Sequence, residues 1–231
     1  MSATNSPFTK MLDNVFPRIP PFLTMITAQA EILSQAMTVA AEYLSDSKPA
    51  KFQELVKLES QAKAMRDKHL DILTNAFSTP IDREDVLQSI IRLEIPLGSM
   101  RVVIEEMEAL QIKSDNYCLE IAVVMREAAS ALQRGYSKLD TTPAMADPDA
   151  QVGLLCLTNV DKVYRKALAK LYSIDEDIQR MKSRAADAEV LAMMHVVEML
   201  KRREIYRHMR NIAGQMCDAA STLHGIVVAI G

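Results

Sequence analysis

The histidines and the carboxylates near them are the residues of this sequence whose types could do acid–base or metal chemistry. Glu204 and His208 are four residues apart, and His195 and Glu198 are three apart in the reverse order. Neither pair has the Glu-x-x-His order that di-iron helical bundles combine with further glutamates. His69 falls on the apolar face of a predicted helix, where we expect a hydrogen-bonded core histidine instead of a ligand. The sequence has no nucleophile elbow, phosphate-binding loop or glycine-rich dinucleotide motif, so we predict that the protein is not an enzyme.

A run of cationic side chains near the end of the chain is its strongest basic cluster and comprises Lys201, Arg202, Arg203, Arg207 and Arg210. Arg203, Arg207 and Arg210 share one helical face because they are four and three residues apart. One interpretation is a solvated face that neighbouring acids balance. The other is a contact surface for an anionic partner, such as phosphate, acidic lipid head groups or the cytoplasmic loops of a membrane protein.

Helices are the elements that must position these residues, because apolar residues recur at helical spacing along nearly the whole chain. The expected core positions include Ile26, Leu33, Met37, Leu55, Ile90, Leu97, Met125, Val160, Met209 and Met216. Interruptions are expected in the lead-in 1–20 and at Ser45–Pro49, Thr79–Pro80, Ser114–Asn116 and Leu139–Pro148, with Asp147 as a helix cap and a short helix after Ser173.

This pattern predicts an all-α protein, an elongated six-helix antiparallel bundle of residues 1–231 as one domain. Residues of about 21–111 would form one set of three helices, and residues of about 114–230 the other. The last helix would start near residue 183. The heptads alone equally describe a coiled-coil oligomer, whereas the short loops favour packing within one chain.

The charge and the cysteine content of the chain limit which partners the protein could bind and in which cellular compartment we expect it. The 27 basic and 30 acidic residues are mixed and give a net charge of −3, so no basic surface favours nucleic acid. Cys118, Cys156 and Cys217 are odd in number and far apart, which fits buried thiols in a reducing cytoplasm. The first ten residues lack the apolar region of a signal peptide, and no apolar run approaches the ~20 residues of a membrane span. We therefore expect a cytoplasmic protein.

Three segments resemble the PhoU-like family of Pit accessory proteins, which are regulators of phosphate transport. They are Phe77–Val86 (FSTPIDREDV), Asp161–Leu171 (DKVYRKALAKL), and Glu204–Tyr206 followed by His224–Val228 (EIY and HGIVV). The resemblance implies a fold of two three-helix repeats, which agrees with the helix count. It also implies a protein that modulates a low-affinity phosphate transporter and catalyses nothing itself.

The resemblance further implies acidic clusters that bind metal ions on the second, third, fifth and sixth helices. The acids that remain in this sequence are Glu59, Glu94, Asp161 and Asp218. They are either non-functional remnants of such a site or ordinary solvated or paired carboxylates. The other expected acids are replaced by Lys63, Ile95, Gly98, Leu157, Arg210 and Gly214. Glu59 with Lys63, and Asp161 with Arg165, have the spacing of helical ion pairs. We therefore expect no bound cofactor, while a single weakly held ion at one carboxylate stays compatible with the sequence.

The function predicted from the sequence is that of a non-enzymatic accessory or regulatory protein of inorganic phosphate transport. It would bind a partner, a Pit-type transporter or another membrane-associated protein, at the inner face of the membrane. The alternative is a helical scaffold or homo-oligomeric interaction protein that has lost the ancestral metal site. A metal-dependent enzyme is the third reading.

Overall fold

The fold is all-helical throughout residues 20–173 and 188–230, the parts of the chain that the computed structural model describes. In chain order the elements are α1 (Phe22–Asp46), α2 (Pro49–Asn75), α3 (Arg83–Ala109), α4 (Asn116–Lys138), a 3-10 turn (Pro143–Ala146), α5 (Asp147–Leu154), α6 (Cys156–Leu171) and α7 (Ala188–Ile230). The predicted all-α class is confirmed. The irregular lead-in, the short helix after Ser173 and a start of the last helix near residue 183 lie outside the described residues.

Three helix boundaries follow from local features of the chain, namely the starts of α3 and α4 and the end of α1. The Asp82 carboxylate accepts a hydrogen bond from the Glu84 amide at 2.7 Å, and Asp115 caps α4 in the same way. Such caps satisfy amides in the first turn that have no partner inside the helix. Ser47, with φ of 53°, ends α1 in the left-handed conformation. The predicted interruptions between the first four helices are therefore confirmed.

The predicted fifth helix is where the structure departs from the sequence prediction. Two helices, α5 and α6, replace it, and they are separated at Leu155, whose ψ of −8° departs from the value of about −42° in a regular α-helix. Asp147 does not cap α5, because the helix already follows a 3-10 turn and Ala146 occupies the cap position. The Asp147 carboxylate instead contacts Nδ1 of His224 on α7 at 2.8 Å.

Packing between helices forms one apolar core. The helices α1, α2 and α3 contact one another, α5 and α6 contact both α4 and α7, and α4 also contacts α7. The two groups meet where α1 packs on α4 and α3 packs on α7. The ten core positions named from the periodicity are all buried. Pro96 is accommodated within α3 and is itself buried. None of the described helices combines the length and apolar character that a membrane span requires.

Candidate functional site

Two of the predicted metal-ligand remnants lie buried on α2 and α3, where each forms an ion pair. Glu59 is only 4% exposed, and its carboxylate lies 2.5 Å from Nζ of Lys63 and 3.3 Å from Nε of Arg101. Glu94 is 6% exposed and accepts a hydrogen bond from Nη1 of Arg66 at 2.9 Å. These five residues form what we call the α2–α3 ion-pair cluster. The Glu59–Lys63 pair predicted from the sequence is present, whereas Arg66 and Arg101 were not predicted.

The cationic side chains of the cluster outnumber its carboxylates, which makes the cluster unfavourable for a bound metal ion. Lys63, Arg66 and Arg101 bring three cations to two carboxylates, and a divalent ion placed among them would face like charge in partly desolvated surroundings. A Cβ added at Gly98 would lie 3.6 Å from Oε1 of Glu59. The position at which the resemblance expects a third acid therefore lies beside Glu59 but has no ligand atom.

The second pair of predicted remnants is not brought together. Asp161 on α6 pairs with Arg210 on α7, with Oδ1 and Nε 2.5 Å apart, and this contact raises the pKa of the Arg210 guanidinium. Arg210 also lies over the ring of Tyr164, 5.8 Å from its centroid. The Asp218 side chain is exposed, and the hydrogen bond that this residue makes with Arg92 uses its backbone carbonyl oxygen as the acceptor. The predicted Asp161–Arg165 pairing is thus replaced by a contact between two helices.

These donors do not fit the multinuclear metal centre that the resemblance implies. Each hard cation takes six or more oxygen ligands, but Glu59, Glu94 and Asp161 are each already paired with a cation. Over the described ranges, no three His, Cys, Asp or Glu side chains are grouped so that they could hold one metal ion. The loss of the ancestral site stays a prediction for measurement.

The predicted partner-binding arginines differ in how far neighbouring acids neutralise them. Arg207 pairs with Glu204 one turn away, with Nε and Oε2 3.1 Å apart. Arg210 is used in the contact with Asp161. Arg203 is exposed on the same helix. Local acids therefore balance part of this face, while Arg203 and Arg207 both remain accessible at the surface.

A groove of about 330 Å³ lies between α3 and α7 and is lined by Gly98, Ser99, Val102, His208, Asn211 and Gln215. Both ring nitrogens of His208 contact carboxylates: Nδ1 lies 2.5 Å from Oε2 of Glu106, and Nε2 lies 3.1 Å from Oε1 of Glu204. Neither nitrogen is left to activate Ser99 as a nucleophile. The sequence paired His208 with Glu204 but gave no signal for Glu106, which is 102 residues away.

Three further titratable groups of the core, those of His69, Cys118 and Cys156, are held in their neutral forms. Nδ1 of His69 contacts the side-chain oxygen of Gln29 at 2.9 Å, and burial, with a smaller effect of Lys68, lowers the His69 pKa. Burial raises the pKa of Cys118 and of Cys156 to about 12, so both thiols stay protonated and are poor nucleophiles. His69 is therefore the satisfied core histidine that was predicted, and neither cysteine suits nucleophilic catalysis.

The comparisons with known proteins add no family assignment to this geometry. No protein-family model matches the chain, and no curated protein is significantly similar to it in sequence.

Proposed function

We propose that this protein is a non-enzymatic accessory or regulatory protein of inorganic phosphate transport that acts by binding a membrane-associated partner. The resemblance of three segments to the PhoU-like family is the basis for the phosphate assignment. The observation that carries the binding role is that Glu59, Glu94 and Asp161, at positions where that family holds metal ions, each pair with a cation here. Such a protein would retain the scaffold of its relatives without their metal chemistry.

We also propose that the chain consists of two related three-helix units in an elongated antiparallel bundle. Support comes from the packing, in which α1–α3 contact one another and α4, the α5–α6 segment and α7 contact one another, with extensive contacts between the two groups as well. It also comes from two ion pairs, Glu59–Arg101 and Asp161–Arg210, which have the same layout. Each joins a carboxylate on the second segment of its group, α2 or α5–α6, to a guanidinium on the last helix, α3 or α7. Superposing the backbones of 21–111 and 114–230 should place Glu59 and Asp161 at equivalent positions.

The proposed docking face for the partner is the surface of α7 around Arg203 and Arg207. Its occupant would be an acidic cytoplasmic loop of a Pit-type transporter, because exposed arginines bind carboxylates through paired hydrogen bonds. Arg210 is excluded from the docking role, since Asp161 and Tyr164 of α6 hold it between two helices. Arg207 pairs with Glu204 on its own exposed turn, where water screens the contact. This narrows the face expected from the sequence to two residues.

Co-sedimentation with inside-out membrane vesicles tests the proposal directly. Vesicles that contain a Pit-type transporter should bind the purified protein, and vesicles of the same lipids without the transporter should not. The double variant Arg203→Glu/Arg207→Glu should bind weakly and with a flatter salt dependence. A matched control, Lys57→Glu/Lys68→Glu, changes the charge equally at exposed positions of α2 and should bind normally.

Equal binding by the two double variants would contradict the docking face. Equal binding to vesicles with and without the transporter would contradict the transport role. The latter result, together with unchanged phosphate uptake by vesicles that contain the transporter, would favour the alternative. In that case the protein is a helical scaffold or homo-oligomeric interaction protein in which ion pairs such as Asp161–Arg210 have replaced the metal.

A further inference from the structure

The first part of α7 carries an apolar face that the helical core does not use. Val190, Met193, Met194, Val197 and Leu200 are between 45% and 72% exposed, and we call these five residues the α7 seam. Their spacing places them within one narrow stripe of the helix. The opposite face carries Leu191, His195 and Met199 and is more buried. Five of the six exposed large apolar residues of this segment therefore share one side, while Val196, 51% exposed, lies outside the stripe.

This segment extends beyond the end of the helical core. Nζ of Lys201 donates to the carbonyl of Leu110, the residue that ends α3, at 3.0 Å. On the other side of this contact, Ile205 and Tyr206 are buried. Residues 188–200 thus continue past the end of α3 for roughly 20 Å at 1.5 Å per residue. One helix belongs to the core at one end and presents the seam at the other.

We propose that a second copy of this chain covers the seam, with the two α7 segments packed antiparallel about a twofold axis near residue 195. Residues 190, 193, 197 and 200 have the alternating spacing of three and four that places side chains between two packed helices. In the antiparallel pair Val190 faces Leu200 of the other copy, and Met193 faces Val197. The twofold axis repeats each of these two pairs, so both copies use the same surface in the contact.

The size and charge of the seam favour this occupant. Five side chains, each about half exposed or more, offer on the order of 500 Å² per copy and 1,000 Å² for two, which is the lower limit for a specific interface. Glu198 and Lys201 border the apolar side chains of the seam. Antiparallel packing also keeps the exposed Arg203 side chains of the two copies at opposite ends of the contact, whereas parallel packing would bring these like charges together.

A lipid surface fits the same segment less well. Helices that lie in a membrane interface use free lysines and arginines beside the apolar face. Here Lys201 is bound to the Leu110 carbonyl, and Arg202 pairs with Glu198 and Asp115. The cations that border the seam therefore hold α7 against the core. The dimer does not depend on the proposed role in phosphate transport, and a monomeric protein would leave that proposal standing.

Analytical ultracentrifugation of the purified full-length chain over a wide concentration range tests the dimer. The wild-type protein should show a monomer–dimer equilibrium. Met193→Glu should weaken the dimer at least tenfold, because two carboxylates would enter an apolar contact without partners. The control Val228→Glu changes a residue that is 71% exposed on the same helix and should leave the equilibrium unchanged. Circular dichroism should show equal helix content in all three proteins.

Cross-linking tests the antiparallel register independently of those variants. In a Cys217→Ser background, Met194→Cys places two thiols close to the twofold axis, and a short bismaleimide should join them. Val190→Cys places its two thiols ten residues apart along the paired helices, roughly 15 Å, and should not cross-link. A wild-type chain that stays monomeric, or a dimer that Met193→Glu does not weaken, would overturn the proposal. Cross-linking through Val190→Cys, or vesicle binding by a monomer through this seam, would overturn it as well.

Discussion

Removing Arg101 should destabilise the fold, because Glu59 would lose one of the two cations beside its buried carboxylate. Breaking a fully buried ion pair costs about 3–5 kcal/mol, mostly through the charge left without a partner. Lys63 would remain 2.5 Å from Glu59, but its side chain is 46% exposed and water screens the contact. We therefore expect Arg101→Met to lower the free energy of unfolding by about 2 kcal/mol, or the melting temperature by about 4–8 °C.

A double-mutant cycle separates this ion pair from the packing of the Arg101 side chain. Glu59→Gln removes the charge at nearly constant shape, so Arg101→Met in that background should cost less than it does in the wild type. The difference should be at least about 1 kcal/mol, since the two residues are in contact. Urea unfolding followed by circular dichroism measures all four proteins, and an unchanged slope with denaturant would show that the comparison is valid. Lys57→Met is the exposed control.

Two results would refute this reasoning. If Arg101→Met and Glu59→Gln are additive, the 3.3 Å contact contributes nothing and the buried carboxylate depends on Lys63 alone. If Arg101→Met is no more destabilising than Lys57→Met, the burial of Glu59 carries no electrostatic consequence. Either outcome would also remove the reason for regarding the α2–α3 ion-pair cluster as a replacement for a metal site.

Three further predictions concern metal, backbone packing and pH. Purified protein exposed to excess iron, zinc or magnesium and then desalted should retain well under one ion per chain by elemental analysis, and retention of two or more would contradict the loss of the site. Gly153→Ala should destabilise the protein by about 1–3 kcal/mol in urea unfolding, because the new Cβ would come 2.6 Å from that of Ala220. Gly214→Ala, in the middle of a helix with open space beside it, should stabilise it by about 0.5–1 kcal/mol, and the opposite order would show that the helix packing is wrong. Burial lowers the His69 pKa in the fold, so below pH 6.5 the unfolded chain binds more protons than the folded chain, and the free energy of unfolding decreases as the pH falls. His69→Gln should therefore make the free energy of unfolding less dependent on pH between pH 7 and 5. An unchanged dependence on pH would count against a neutral buried His69.

What the sequence determined by itself is local. The apolar periodicity predicted the buried faces of the helices, because the positions that share a face depend only on the helical repeat. The Ser114–Asn116 interruption, which contains Asp115, indicated a helix start, since a cap reaches amides only two or three residues away. The Glu59–Lys63 pair follows from the same short range. The regular geometry of one helical turn is enough to predict each of these features.

Only the tertiary structure decided which residues meet across helices. Asp161 pairs with Arg210 and His208 contacts Glu106, although the partners are 49 and 102 residues apart. The exposure of the seam, which includes Val190 and Met193, also depends on the tertiary structure, because its apolar spacing is the same as that of the buried part of α7. Such contacts depend on the register and length of neighbouring helices, and the free energy that sets them comes from packing many side chains at once instead of from any local pattern.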